Sequence, residues 1–325
     1  MINYILRRLA YGVLVLIGVN LFTFLLFFTV NTPDDMARMN IGGKRVSQDA
    51  IEKWKVEHGY DIPLFWNSAS PGVGKFTKTI FFERSVQLFA LDFGASDSGR
   101  DIGYELRQRV GPSLALALPT FVLGILVVIT YSLLLVFFRN TYLEFWGFAL
   151  AVFLMSISAL FYILLGQFFF SRLLKLVPIS GFSGGWGMFV FLALPVIIGI
   201  VSRMGAEALF YRAMFLEEIG KDYVRTARAK GLSETVVLFR HVLPNALLPI
   251  LTSTVAVLPL LFLGALIMES FFGIPGLGSY TIDAINGQDF AVVRSMVFVG
   301  SALYIVGLIL TDISYTLADP RIRLS

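Results

Sequence analysis

Apolar residues in this chain come in long uninterrupted blocks, not at the spacing of amphipathic helices or strands. The first block, Leu9 to Val30 in MINYILRRLAYGVLVLIGVNLFTFLLFFTV, is about 33 Å long at a helical rise of 1.5 Å per residue. Five further blocks, roughly 113 to 138, 143 to 170, 187 to 210, 246 to 268 and 290 to 317, are each long enough to cross a hydrocarbon core of about 30 Å. The pattern predicts an all-α polytopic membrane protein with six transmembrane helices. It divides the chain into an N-terminal helix (1–30), a polar extracytoplasmic segment (31–112) and a five-helix core (113–325) carrying a loop at 211–245. No internal repeat or low-complexity linker interrupts these blocks.

Composition agrees with a membrane protein. Apolar residues make up 57% of the 325 and charged residues 15%, against about 25% charged in soluble globular proteins. There is no Cys and there are two histidines, His58 and His241, which removes disulfide frameworks, thiolate metal sites and His clusters. The formal charge of +4 does not point to nucleic acid, because Lys and Arg in a membrane protein mark its cytoplasmic loops. The first block is longer than a signal-peptide core of about 7 to 15 residues, and NTPDDMA after it holds no A-x-A-like site. It is expected to be a retained span.

The basic residues also orient the chain. Arg7 and Arg8, Arg139, seven Lys and Arg from Arg203 to Arg240, and Arg321 with Arg323 all fall on one side of a six-span arrangement. Both termini are therefore expected in the cytoplasm. Residues 31–112, with 11 basic and 11 acidic residues, are expected outside. Charges near the spans, namely Arg203, Glu207, Glu269, Arg294 and Asp312, are expected at span ends. Uncharged span interiors disfavour a proton relay or an ion-coupled carrier, so active transport would draw its energy from another chain.

Two short motifs suggest other chemistry and do not carry it. PGVGKFT (71–77) departs from a phosphate loop at Ala69 and Phe76, leaving a surface turn. GFSGG (181–185) fits the GxSxG pattern of a serine nucleophile, so an intramembrane serine protease using Ser183 is a rival from another class. Its base would have to be a histidine within hydrogen-bond reach, but His241 is expected across the bilayer from Ser183 and His58 in the outer segment at no fixed distance. Asn20, Thr120, Ser156, Ser158, Thr252 and Thr254 are the polar span residues that would either line a pore or hydrogen-bond between helices.

The most informative segment is DYVRTARAKGLSETVVLFRHVLPNALLPI (222–250). Its acidic residues precede its basic ones, as a helix dipole favours. Gly231 is a natural left-handed stop, Ser233 a candidate cap, and Pro244 the start of the next span. On pattern alone, such a basic helix lies at lipid headgroups. RTARAKG followed by HVLP, however, resembles the loop motif of bacterial ABC-importer permeases: EAA, three residues, Gly, nine residues, then I-x-LP. Gly231 and Leu243-Pro244 keep that spacing. Arg225-Thr226 replaces Glu-Ala and His241 replaces Ile, as in the oligopeptide, dipeptide and nickel branch.

The resemblance extends over nearly the whole chain, through MINYILRRL, SQDAIEKWKVEHGYDIPLFW, LDFGAS, PISG, MESFFGIPGLG and DISYTLADPRIR. The ISYTLADPRI ending is similar to the subgroup that imports peptides and peptide-like antibiotics such as microcin C, whereas Asn67 to Ala90 departs from the family pattern. The resemblance implies the type I permease fold and a multi-pass place in the bacterial inner membrane. It implies a second permease subunit, usually a different chain, two ATP-binding subunits or one fused pair, and an extracytoplasmic solute-binding protein. ATP and Mg would be bound on partner chains and no cofactor on this one; nucleic acid is not an implied partner. Peptides or peptide-like solutes are the implied cargo, with nickel as the alternative. The resemblance assigns ATPase coupling to Arg225, Thr226, Ala227, Arg228, Ala229, Lys230, Gly231, Leu243 and Pro244, with Ala227 and Ala229 as a close-packing face. A stand-alone channel would instead transport when ATP is depleted. Ser183→Ala separates the remaining rival: it abolishes function in a protease and leaves an importer's uptake at the wild-type rate.

Overall fold

A computed structural model of the protein describes residues 2–42, 46–255 and 257–318. Arg321, Arg323 and the side chain of Thr252 lie outside the described set. In chain order the principal helices are α1 (Ile2–Val30), α2 (Pro33–Ile41), α3 (Gln48–Glu57), α4 (Ile102–Phe137), α5 (Tyr142–Met155) and α6 (Ala159–Gly166). They continue as α7 (Gly187–Ile219), α8 (Asp222–Ala229), α9 (Leu243–Val255), α10 (Leu266–Phe272), α11 (Leu277–Asn286) and α12 (Phe290–Ala318). Four stretches, in α1, α4, α7 and α12, are long and apolar enough to cross a membrane, and two bent pairs bring the number to six if each is one span.

The first pair corrects the expected helix at 143–170; ahead of the second pair's bend, the helix expected at 246–268 is itself divided, α9 ending at Val255 and a tight turn at Leu258–Leu263 preceding α10. The first is broken by a 93° bend between Tyr142–Met155 and Ala159–Leu173. Ser158 causes the restart, its hydroxyl accepting the Phe161 N–H at 3.3 Å as an N-cap. The second bends by 67° between Leu258–Phe272 and Leu277–Asn286. Two boundaries also shift. α4 starts at Ile102, not 113, because Asp101 caps it, accepting the Tyr104 N–H at 2.6 Å. α7 runs to Ile219, not 210, which places Arg203 and Glu207 well inside a helix and not at its end.

The chain forms two compact units, one made of Met1–Arg109 with Tyr280–Ile309, the other of Val110–Ser279 with the stretch that begins at Leu310. In the first, Phe24 and Phe28 of α1 are buried with Met36, Ile51, Trp54 and Ile80. The turn after α1 is held by a reciprocal cap: the Thr32 hydroxyl accepts the Asp35 N–H, and the Asp35 carboxylate accepts the Thr32 N–H. Asn20 donates to the Ser85 carbonyl at 2.8 Å and is buried, so it joins α1 to the widened turn at Phe82–Val86.

The second unit packs α4, α5 and α7 closely. Ser132 of α4 donates to both the Val128 and Ala208 carbonyls, at 2.7 and 2.9 Å, linking α4 to α7. Gly205 of α7 lies against the α5 backbone, where an added Cβ would overlap the Ala151 carbonyl and come 2.8 Å from the Met155 nitrogen. Small residues at such crossings let helix backbones approach in a membrane. Gly205→Leu must therefore separate the two helices, with an expected loss of about 1–3 kcal/mol, read as a lower unfolding temperature in detergent. An unchanged unfolding temperature would show that the two backbones are not in contact.

Candidate functional site

The loop segment is built on α8. Lys221 precedes it in extended conformation, and two of its residues, Val224 and Ala227, are buried in a core that includes Phe215, Val237, Val242 and Ile250. The helix is thus bolted to the membrane helices by its inner face. Ala227 belongs to this face, which corrects its expected place in a surface for another protein. Arg225, Thr226, Ala229 and Lys230 are exposed, although Arg225 stands 3.4 Å from Asp222.

Arg228 is also engaged within the chain. Its Nε and Nη2 donate to the two oxygens of Glu234 at 2.7 and 3.3 Å, and Arg139 adds a second cation 3.6 Å from Glu234. The hydrogen bond from Arg228 holds the Glu234 carboxyl below its ordinary pKa. This fork clamps the chain on both sides of Gly231, whose φ of +79° lies in the left-handed region. Its N–H donates to the Arg228 carbonyl at 2.9 Å. Ser233 takes the cap position but its side chain makes no capping bond.

On the near side of α8, buried Glu218 accepts from Lys221 and, at 2.5 Å, from the Tyr223 hydroxyl. Burial first, then this bond, pushes the Tyr223 hydroxyl up to about 12, so it remains a donor at cellular pH. Beyond Gly231 the turn at Leu238–Val242 widens, with the Leu243 N–H reaching back to the Leu238 carbonyl. Leu243 and Pro244 then open α9; Pro has no N–H to give, and the widened turn accommodates it. Tyr223, Thr226, Lys230, Leu232, Arg240 and His241 border an open groove of ≈ 440 Å³.

Deeper in the same unit is a carboxylate that sequence reasoning placed at a span end. Glu269 of α10 is 0% exposed. One oxygen accepts the Ser113 hydroxyl at 2.8 Å and the Ala265 N–H at 2.9 Å; the other accepts the Gly278 and Ser279 N–H groups at 2.7 and 3.1 Å. Ser113 in turn accepts the Leu277 N–H at 2.8 Å. Three N–H groups at the start of α11, which a helix leaves unpaired, are thereby satisfied. The PISG element joins the same bend: Gly181 N–H donates to the Phe272 carbonyl at 2.8 Å, and Gln167 donates to the Ile179 and Phe271 carbonyls, both at 3.0 Å.

Residues 113–324 match the family described as the binding-protein-dependent transport system inner membrane component, and residues 1–95 match its N-terminal counterpart. The chain belongs to this family. It is 31% identical over 98% of its length, and 98% of the other's, to a provisionally named peptide transport system permease protein of Brucella abortus (strain 2308). A probable peptide ABC transporter permease protein of Sinorhizobium fredii (strain NBRC 101917 / NGR234) is 30% identical, covering 98% and 99% of the two chains. The glutathione transport system permease protein of Salmonella paratyphi A (strain ATCC 9150 / SARB42) is 29% identical, covering 99% of each. The protein is a multi-pass inner-membrane permease subunit of an importer and not an enzyme. Membership implies ATPase and solute-binding partner subunits.

GFSGG in this permease is a half-buried turn exposed at Gly184 and Gly185: Ser183 donates to the Gly184 carbonyl at 3.4 Å and, among the described residues, makes no bond to an imidazole. Of the polar span residues, Ser156 bonds its own helix and Ser158 caps the next. Thr120 and Thr254 border a cavity with Arg203 and Glu207. Sequence reasoning missed the Arg228–Glu234 fork and the Glu269 hub. A charged residue directly after a long apolar run was the available sign of the latter.

Removing the Glu269 carboxylate strands four buried donors, so Glu269→Ala should cost the second unit at least about 3–5 kcal/mol. Glu269→Gln keeps one acceptor and should fall between Ala and wild type in unfolding temperature. Equal stabilities for all three would remove the hub from the fold's essential contacts.

Proposed function

We propose that this permease is one of two pore-forming chains, usually different from one another, in an ATP-driven importer of peptides or peptide-like solutes. Both termini lie in the cytoplasm and residues 31–112 outside, as the one-sided distribution of Arg and Lys supports. Two ATP-binding subunits, or one fused pair, dock from the cytoplasm, and a solute-binding protein docks outside. Relatives named for peptides and for glutathione that match nearly end to end support the cargo class.

The observation that carries the coupling role is the two-faced α8. Val224 and Ala227 tie it into the core shared with α7, α4 and α9, while Arg225, Thr226, Ala229 and Lys230 remain exposed. A partner that grips the exposed face moves the buried face with it. The ATPase seats there, with Arg225 and Lys230 as charged contacts and Ala229 as the close approach. Arg228 and Gly231 hold the seat's shape, and Leu243 and Pro244 pass its motion into α9. ATP-driven closure of the ATPases then biases a two-state pore.

Uptake of a labelled short peptide in cells lacking the gene tests this. Wild type should restore uptake. Gly231→Asp, present at equal membrane level, should leave about a tenth or less, because a side chain at this φ strains the stop and adds an anion beside the seat. Failure of wild type would remove the peptide assignment; equal uptake by both would remove the coupling role of the loop.

A further inference from the structure

Two cavities in the second unit share a wall. One, of ≈ 390 Å³, extends past Leu116, Pro195 and Met268; the other, of ≈ 200 Å³, extends past Val128, Glu207 and Tyr211. Thr120, Phe121, Gly199, Arg203 and Val257 border both, so the two adjoin as a path along α4 and α7. Its walls are mostly apolar. The Thr120 and Ser202 hydroxyls donate to carbonyls of their own helices, Leu116 at 2.7 Å and Gly199 at 3.3 Å.

Arg203 and Glu207 are the charged residues along this path. Arg203 Nε and Nη2 both reach Glu207 Oε1, at 2.8 and 2.5 Å. Among the described residues, Glu207 Oε2 and Arg203 Nη1 have no bonding partner. The two side chains are 31% and 54% exposed. Exposed pairs one helical turn apart are weak, so this one opens readily.

We propose that the Arg203–Glu207 pair reads the charged ends of a peptide in transit: Arg203 takes the terminal carboxylate and Glu207 the terminal ammonium. The proposal rests on the peptide-import reading above. Its physical basis is charge balance. A single fixed charge inside a span would either repel a solute or hold it, and an unpaired charge is costly at that depth. A pair that neutralises itself at rest leaves the path neutral. Exchanging it for a zwitterion creates two ion pairs from one and leaves net charge unchanged. With Cβ atoms about 6 Å apart and two long side chains, the pair can spread to span a di- or tripeptide. The path should then favour zwitterions over peptides amidated at the C-terminus or acetylated at the N-terminus, each of which leaves one partner uncompensated.

The test is ATP-driven uptake by the complete transporter, reconstituted with its ATPases and binding protein. The probes are trialanine, trialanine amide and N-acetyl-trialanine, each at saturating binding protein. Uptake is measured for wild type, Arg203→Gln, Arg203→Lys and Glu207→Gln, with incorporation checked by blot. Each variant's preference is divided by the wild-type preference, so that the binding protein's own selectivity cancels. The expected result is that Arg203→Gln lowers the ratio of free to amidated peptide about fivefold, the factor one exposed charge pair supplies. Arg203→Lys should restore part of that ratio, and Glu207→Gln should lower the ratio of free to acetylated peptide. Equal loss for all three peptides would assign the pair a structural role and overturn the proposal, as would unchanged ratios. Wild type that imports none of the three would overturn the peptide reading, and the proposal with it, a failure visible without any variant.

Discussion

A carboxylate removed from water and surrounded by hydrogen-bond donors has very few arrangements in which both oxygens are satisfied. Glu269 meets that condition through one hydroxyl and three backbone N–H groups drawn from α4, the turn before α10, and the start of α11. Everything near the bend inherits its position from this group. α11 needs no other cap at Gly278 and Ser279, Ser113 is held between Glu269 and Leu277, and the turn carrying Pro275 is fixed between two anchored ends. An apolar run that could have crossed as one helix is instead bent by 67°. The polar groups released at the break find partners inside the protein, which is the condition for irregular backbone at membrane depth.

The cytoplasmic segment solves a related problem on a surface. A short helix of eight residues is marginal alone, and α8 is stable because one face belongs to the core around Phe215. Arg228, Glu234 and Arg139 then fix the chain beyond the left-handed turn, while Glu218 and Tyr223 fix the approach to α8. The chain is thus held on both sides of α8. The charges that look most available in the sequence are therefore divided, Arg228 to the fork and Arg225 and Lys230 to the surface.

The N-terminal segment, including the stretch from Asn67 to Ala90, is tied closely to α1. Phe81 packs edge-on to Phe24 at 5.1 Å, and Ser85 receives Asn20. Of the two roles its sequence left open, pore lining and packing, Asn20 takes the packing one. Asn20 and Thr120 are both polar residues of long apolar helices. One is buried beside a backbone carbonyl and the other borders a cavity, a distinction no pattern in the chain encodes.

Hydropathy alone determined that this is an all-α polytopic membrane protein, because a continuous apolar block has no stable form in a bilayer other than a helix. Local chemistry determined more: the left-handed Gly231 and the loop spacing through Leu243 and Pro244 rest on neighbours within a few residues. Tertiary structure decided what depends on residues far apart in the chain. The bend at Glu269 requires Ser113, and the burial of Ala227 requires a core assembled from four helices. The extension of α7 carried Arg203 and Glu207 from an expected span end to a cavity wall. In each case the free energy comes from a partner many residues away, and periodicity along one segment holds no information about that partner.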